Sequence, residues 1–599
     1  MNSRKARFTV VLWVLLLVIS GITGFGQTVN LVENLDTGET FSSIQAAIED
    51  SDTDEGDTIV VYPADQRLQG VKFSRDQLTL KSRDIPNRPT IEGKAETDKT
   101  TIDGTYYEVI TAAYGVHLDN SNSNNIQHFH LTEVSSLADA DISTICGDET
   151  CSGDVYAGAL SYGIRLDGSS DNTFRHIDMS EIHSKATASA DSGDAEAISK
   201  SYGISLKNSP GNTFQYIDLN DISGQASASS NSGEEYTEVN TFGVDIVGSS
   251  NNTFEFNVIS DNEFGARSNS TGITMHYNNI VNNTNYGVKN RVDEVLDASL
   301  NWWGSSEGPS VDIDWNDLEY NGGGDLITGQ GPVSFSPWLS QNPDGDPDEP
   351  GIQLISPLNI LVKRVGPVPT TESGNTGYLD MAIWGAKNVP EAGKIVVAHG
   401  SYEASESISN NVELLSTVGT TCNTCLKDVE NSELTVNGNA VSIGKLDGFT
   451  PRGFVIKDEI VTGADTDTST VHLHWNDLRN TVTNNGNGRL DAEYNWWGDL
   501  DPSDNTTGMV DYRPFLPEEP CSFSNYMKKH DIKNPRAAVA DNMLRGGTCS
   551  DKLPARLITN YHLKPREAEE LVDEYGCYTI RNAIDESGDN YNQLKAELG

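Results

Sequence analysis

Three short segments of this 599-residue chain combine side chains that could do chemistry: IQHFHL with His128 and His130, FRHIDM with His176 and Asp178, and FQYIDL with Tyr216 and Asp218. Aligned on one another they place His128, His176, Tyr216 and Phe256 in one column. His130, Asp178 and Asp218 form a second column two residues on, and Glu133, Glu181 and Asp221 follow. Ile177 and Met179 alternate with these residues, so the pleat of a strand turns both columns away from the core. Stacked strands about 4.8 Å apart would set His128 and His130 over His176 and Asp178, and those over Tyr216 and Asp218. An H-x-H above an H-x-D can ligate Zn²⁺ or another transition metal, and His beside Asp and Tyr can do general acid and base work. The same residues also suit a plain solvated polar ladder.

The elements that must position these side chains are written in a repeat. YGIRLDGSSDNTFRHIDM begins at Tyr162, YGISLKNSPGNTFQYIDL at Tyr202 and FGVDIVGSSNNTFEF at Phe242, and a looser copy, YGVHLDNSNSNNIQHFHL, begins at Tyr114. The step is 48 from the copy at Tyr114 to that at Tyr162, then 40 and 40, and it shortens to 22 from Gly265 to Gly287. Within a copy, Ile164 and Leu166 and then Ile177 and Met179 alternate with polar residues, which predicts strands with one buried face. Runs of Asp, Gly, Ser and Asn between them make turns too short for a crossover helix. Each 40-residue copy then reads as a coil of about 22 residues plus a loop of small polar residues, SKATASADSG or GQASASSNSG. Stacked coils of short strands with Asn at the turns predict a parallel β-helix.

With these repeats and the ending LDASLNWWGSSEGPS from Leu296, the chain resembles the right-handed parallel β-helix, or pectate-lyase-like, superfamily over residues 28 to 517. That fold is shared by lyases, hydrolases, epimerases and non-enzymes. In the family's lyases an Arg or Lys base works beside carboxylate-bound Ca²⁺, and its hydrolases use several close Asp residues. Here the basic side chains near the aligned faces are few, Arg165, Arg175 and Lys207, and no family motif carries a catalytic residue over to this chain.

The order of elements is written twice. A helical face at Phe41, Ile44 and Ile48, the strand GDTIVVYP and then LTLKS are followed, after a gap, by a helical face at Leu379, Ala382 and Ile383, GKIVVAHGSY and VELLS. LDASLNWWG at Leu296 recurs as LDAEYNWWG at Leu490, and VSFSPWL at Val333 as VDYRPFL at Val510. The expected fold is therefore mainly β: two right-handed parallel β-helix (solenoid) modules, 27–340 and 356–518, each with a helical N-terminal cap. They are joined by an acidic Pro/Gly linker, 341–355, and followed by a small α-helical C-terminal domain, 519–599, which reads either as a docking or anchoring unit or as a plain helical cap.

Residues 1–26 read as a signal peptide: Arg4, Lys5 and Arg7, an apolar run from Phe8 to Ile19, and small residues before Gln27. That run is too short to span a membrane, and no later segment reads as a membrane span. A secreted, surface-attached or periplasmic location follows. Against 41 basic residues stand 88 acidic ones, a net charge of −47, dispersed rather than gathered in a tail. Such a surface argues against nucleic acid and anionic membranes as partners and resembles that of a halophile's protein. An oxidising compartment also suits the seven Cys. Cys146 with Cys151 and Cys422 with Cys425 read as local disulfides, and Cys521 and Cys549 are further candidates beside Cys577, one thiol being left over.

Other candidate sites read less sharply. His472 and His474 form a second H-x-H, where His474 aligns with His276 ahead of an Asn turn and a structural role is expected. Trp302, Trp303, Trp496 and Trp497 invite a sugar-stacking reading, but their place in a repeated terminal motif favours packing. Asp312, Asp314 and Asp317, and the linker run Asp344, Asp346 and Asp348, offer oxygen ligands for Ca²⁺ without the spacing of an EF-hand loop. The expected function is a non-catalytic, extracellular or cell-surface protein that binds polysaccharide or a surface component. The alternative is a polysaccharide lyase or glycoside hydrolase.

Overall fold

The computed structural model describes residues 32–62, 68–83, 87–103, 106–141, 153–314, 318–388, 393–409, 411–417, 424–426, 434–498, 502–536, 538–539 and 563–564. The chain is mainly β, and its long parallel sheets stack as the coils of a β-helix. In the first part of the chain a 15-stranded, an 11-stranded and a 3-stranded sheet share the work; from Trp338 to Asp511 an 8-stranded and two 4-stranded sheets follow. The sequence repeat is the register of the sheets. Thr173 pairs with Thr213 and that with Thr253, while Tyr114, Tyr162, Tyr202, Phe242, Phe264 and Tyr286 pair in succession in the second sheet. Equivalent side chains therefore stack on one another, and Phe174, Phe214 and Phe254 do so in the core with ring centroids 5.0 and 4.9 Å apart.

Corners, not only strands, repeat. Asn120, Asn208, Asp171 and Asn251 adopt φ of 50–58°, and Gly168, Gly211 and Gly248 take matching positive φ in other coils. Asn, Asp and Gly tolerate this left-handed region best, which explains the turn runs in every copy. Inside the turn a ladder of buried amides runs along the axis: Asn124, Asn172 and Asn212 each donate Nδ2–H to the Oδ1 of the next, ending on Asn252, at 3.0, 3.0 and 3.1 Å. The same Oδ1 atoms accept the backbone N–H of the preceding Asn. These corner amides thereby find their partners within the chain.

The small polar inserts are not loops. Val134–Asp141, Ile182–Ala190 and Ile222–Ser230 form a parallel three-stranded sheet. It lies against the extended ends of the strands Tyr106–Asp119, Asp154–Asp167, Ala195–Lys207 and Glu235–Val247, so that a two-layered arm projects from the coils. Its core is mostly alanine: Ala138, Ala140, Ala157, Ala159, Ala186, Ala188 and Ala197 are buried there. The segment ATASA from Ala186 is thus an alternating strand whose inward residue is a single methyl.

The helices carry a correction of boundaries. Ile44–Glu49 is helical, capped by Ser43, and buries Ile44, Ala47 and Ile48. Phe41 lies instead in the two-residue strand before it. Tyr378–Asn388 buries Leu379, Ala382 and Ile383 as expected, and also Met381, Trp384 and Ala386. That helix is enclosed because Tyr277 Oη donates to its Gly385 carbonyl at 3.0 Å, while the strands Leu358–Val362 and Gly393–Val397 pack against it. Of residues 519–599 the helix Pro520–His530 is described, packed by Phe523 and Met527 on Trp475 and Leu516. The signal segment 1–26, Cys146, Cys151, Cys422 and Cys549 lie outside the described residues. Cys425 is in the strand Thr424–Leu426, and Cys521 is disulfide-bonded.

Residues 341–355 do not run as a free tether. They fold back on themselves, with Asp344 bridged to Leu354 and the Gly345 N–H on the Gln353 carbonyl at 2.7 Å. The tip lies along the first sheet: the Gly351 N–H donates to Asp218 Oδ1 at 2.8 Å, the Ile352 N–H to the Phe256 carbonyl at 2.8 Å, and Arg88 pairs with Glu349. Gly351 is required there, because a Cβ would come within 2.2 Å of the Tyr216 Cα.

Candidate functional site

His128, His176, Tyr216 and Phe256 occupy a left-handed corner within the first sheet, at φ of 52–65°. The paired register skips them, passing from Gln127 with Arg175 to Phe129 with Ile177. Their rings stack in one file, continued by Tyr277, at centroid distances of 4.7, 4.7, 5.0 and 5.1 Å and interplanar angles of 4–8°. Two parallel imidazoles 4.7 Å apart have parallel in-plane lone pairs, whereas ligands at about 2.0–2.1 Å from one ion must converge on it. The His128–His176 pair therefore does not chelate. Burial lowers both pKa values, that of His176 to about 4, with the neighbouring His128 and Arg88 adding to the fall, so both rings are neutral at pH 7.

The second column divides. His130 Nδ1 lies 3.0 Å from Asp178 Oδ2. Asp218, one coil further, is covered by the folded-back tip of 341–355. Burial raises its carboxyl to about 7; the Gly351 amide opposes the rise, and the Asp178 and Asp344 carboxylates add to it. Sequence alignment brought these residues to one face, and the structure leaves Asp218 and the Tyr216 end beneath another segment of the chain. The aromatic file presents edges rather than faces, so it is not a platform for stacking sugar rings.

Elsewhere on the expected list, Asp312 and Asp314 are exposed, Asp312 faces Glu319 across an antiparallel pair, and Asp317 lies outside the described residues. In the segment 341–355, Asp344 Oδ1 accepts the N–H groups of Asp346 and Gln353, both at 3.2 Å, and so holds its own loop. Trp303 and Trp497 are fully buried, and Arg479 covers Trp496 with its guanidinium carbon 4.6 Å from the ring centroid. Arg165 Nε is 2.7 Å from Asp167 Oδ2, which also meets His117 Nε2 at 3.0 Å, so this cation is neutralised in place.

Sequence reasoning missed a groove at the root of the arm. A cavity of about 620 Å³ is lined by Ser135, Leu137, His183, Lys185, Ser223 and Gln225 among others, with no carboxylate among the described residues of its lining. Register places Ser135, His183 and Ser223 in one file and Leu137, Lys185 and Gln225 in the next. Leu137 is 60% exposed, and Lys185 and Gln225 are exposed beside it. His183 Nδ1 is 2.5 Å from Ser223 Oγ. The signal was present in the inserts SSLAD, HSKAT and SGQAS, but it is readable only once those segments are strands.

No family model matches the chain, and no curated protein matches it. Among solved structures it is similar to the catalytic domain of a GH87 alpha-1,3-glucanase in complex with tetrasaccharides, at 12% identity and a TM-score of 0.17, with 76% of this chain and 64% of that one covered. The chain therefore spans less than two thirds of that domain, and a likeness of this size says nothing of activity.

Proposed function

We propose that the chain is an exported, acidic, salt-adapted protein of two right-handed β-helix modules that binds a glycan without cleaving it, at the cell surface or outside the cell. The groove at the root of the arm carries this reading. It joins hydroxyl, amide, imidazole and ammonium groups, which match the hydroxyls of a sugar chain, to the exposed Leu137 side chain, which matches the apolar face of a sugar ring. Files repeated from coil to coil suit a repeating polymer better than a single small ligand. Hydrolysis of a glycosidic bond by the usual route uses a pair of carboxyl groups flanking it, and the described residues of the groove lining include none.

The alternative of a polysaccharide lyase or hydrolase rests on Asp218, whose carboxyl near pH 7 is suited to a general acid and which has Asp178 and Asp344 as charged neighbours. Its Oδ1 is held by the Gly351 amide and the folded segment lies over it, which narrows a substrate's approach. Binding to a panel of neutral and acidic polysaccharides, with assay for new reducing or unsaturated ends, separates the readings. The parent should bind at least one polymer and release no ends, and a Leu137→Ser, Lys185→Ala double variant should bind at least tenfold more weakly. Undiminished binding by that variant removes the groove from consideration, and newly formed ends establish the enzyme.

A further inference from the structure

The other H-x-H has a geometry that the first lacks. His472 and His474 flank the buried Leu473, so both point outward from one coil, and register sets Asp491 beside His472 on the next. One ligand atom from each of the three residues lies within 4.8 Å of the others. His472 Nδ1 is 2.9 Å from Asp491 Oδ2, and His474 Nε2 is 2.9 Å from Asp491 Oδ1. Although that close, His474 Nε2 does not meet Asp491 in hydrogen-bond geometry, has no other hydrogen-bond partner among the described residues and is shielded from solvent. A buried ring nitrogen beside a carboxylate oxygen, without hydrogen-bond geometry, is the arrangement that an ion between them would satisfy.

The duplication in the chain supplies an internal reference. In the first part, His276 Nε2 lies 3.2 Å from Asp297 Oδ2, and the position two residues before it, paired with Asp297, is Thr274. One His and one Asp are thus enough for the structural pair ahead of the Asn turn. His472 exceeds that requirement.

We infer that His472, His474 and Asp491 form a binding site for a first-row divalent transition ion, with zinc the best fit. Two imidazoles and one carboxylate are a ligand set for Zn²⁺ or its neighbours rather than for Ca²⁺ or Mg²⁺, which prefer oxygen alone. Ligand atoms around a tetrahedral zinc stand about 3.4 Å apart, from bond lengths of about 2.0–2.2 Å, so the 2.9 Å contacts need to open by about half an ångström through side-chain rotation. The His472 side chain is 46% exposed, which leaves the fourth position open to water or to a ligand group.

The test uses the full chain without a tag, stripped with chelator and titrated with Zn²⁺ by calorimetry and with Co²⁺ by visible absorption. The parent should bind one equivalent with micromolar or tighter affinity, and Co²⁺ should give the intense d–d bands of a tetrahedral site. His472→Thr recreates the residues of the first part at this position, so it should keep the metal-free melting temperature while losing at least tenfold in affinity. Asp491→Asn should weaken binding to a similar degree. Absence of binding at 100-fold excess of ion, or equal binding by parent and His472→Thr, overturns the assignment; the second result would place the ion elsewhere, on a free thiol for example.

Discussion

Asp218 couples one proton to the docking of a distant segment. Its carboxyl stands at about 7 against an ordinary 3.8, because burial beneath the folded-back segment penalises the charge by more than the Gly351 amide offsets. The folded chain therefore keeps a proton that the unfolded chain has released, and stability falls as pH rises from about 4 to about 7. Asn in its place preserves an acceptor for the Gly351 N–H and carries no charge. Asp218→Asn should match the parent at pH 4 and exceed it by about 2–4 kcal/mol at pH 8, read from thermal melts across that range. A margin over the parent that is no larger at pH 8 than at pH 4 would show that the carboxylate is solvated in its charged form. His128 and His176 show the limit of reading single residues: an alternating pleat predicts their outward direction, but a left-handed corner stacks the rings in parallel and removes the convergence that a metal needs.

At the scale of elements, the asparagine ladder is the part whose loss spreads furthest. Asn212 accepts from the Asn172 N–H and Nδ2 and donates to the Ser169 and Ser209 carbonyls, all within buried corners. Asn212→Ala leaves several of these groups without partners, at a cost of about 2–4 kcal/mol in urea unfolding. A change below 0.5 kcal/mol would mean that water enters the corner and replaces the amide. This ladder was legible in the chain, since steps of 48 and 40 residues set Asn124, Asn172, Asn212 and Asn252 in one column. The arm was not read as sheet, although ATASA alternates, because alanine and serine are weak strand formers and a methyl gives little hydrophobic signal. Nor was the docking of 341–355 visible: Asp218 and Gly351 are 133 residues apart and belong to no shared pattern. For the second H-x-H the residues were evident, while their convergence on Asp491 depends on a register that only the folded coil fixes.

Over the whole molecule, the charge of −47 acts on every coil at once. Screening shortens from about 10 Å at 0.1 M salt to roughly 3 Å at 1 M, so repulsion between dispersed carboxylates weakens steeply in that range. The melting temperature should climb between 0.1 and 3 M NaCl; a flat profile would leave the acidity as a device of solubility alone. The folded-back segment has a mechanical meaning in the same frame. A stack whose units touch only their neighbours peels from its ends, one unit at a time. By tying Arg88 near one end of the first sheet to the coils of Tyr216 and Phe256, the segment works like a rivet through several plates: those coils are loaded together in shear, and they must let go as a block.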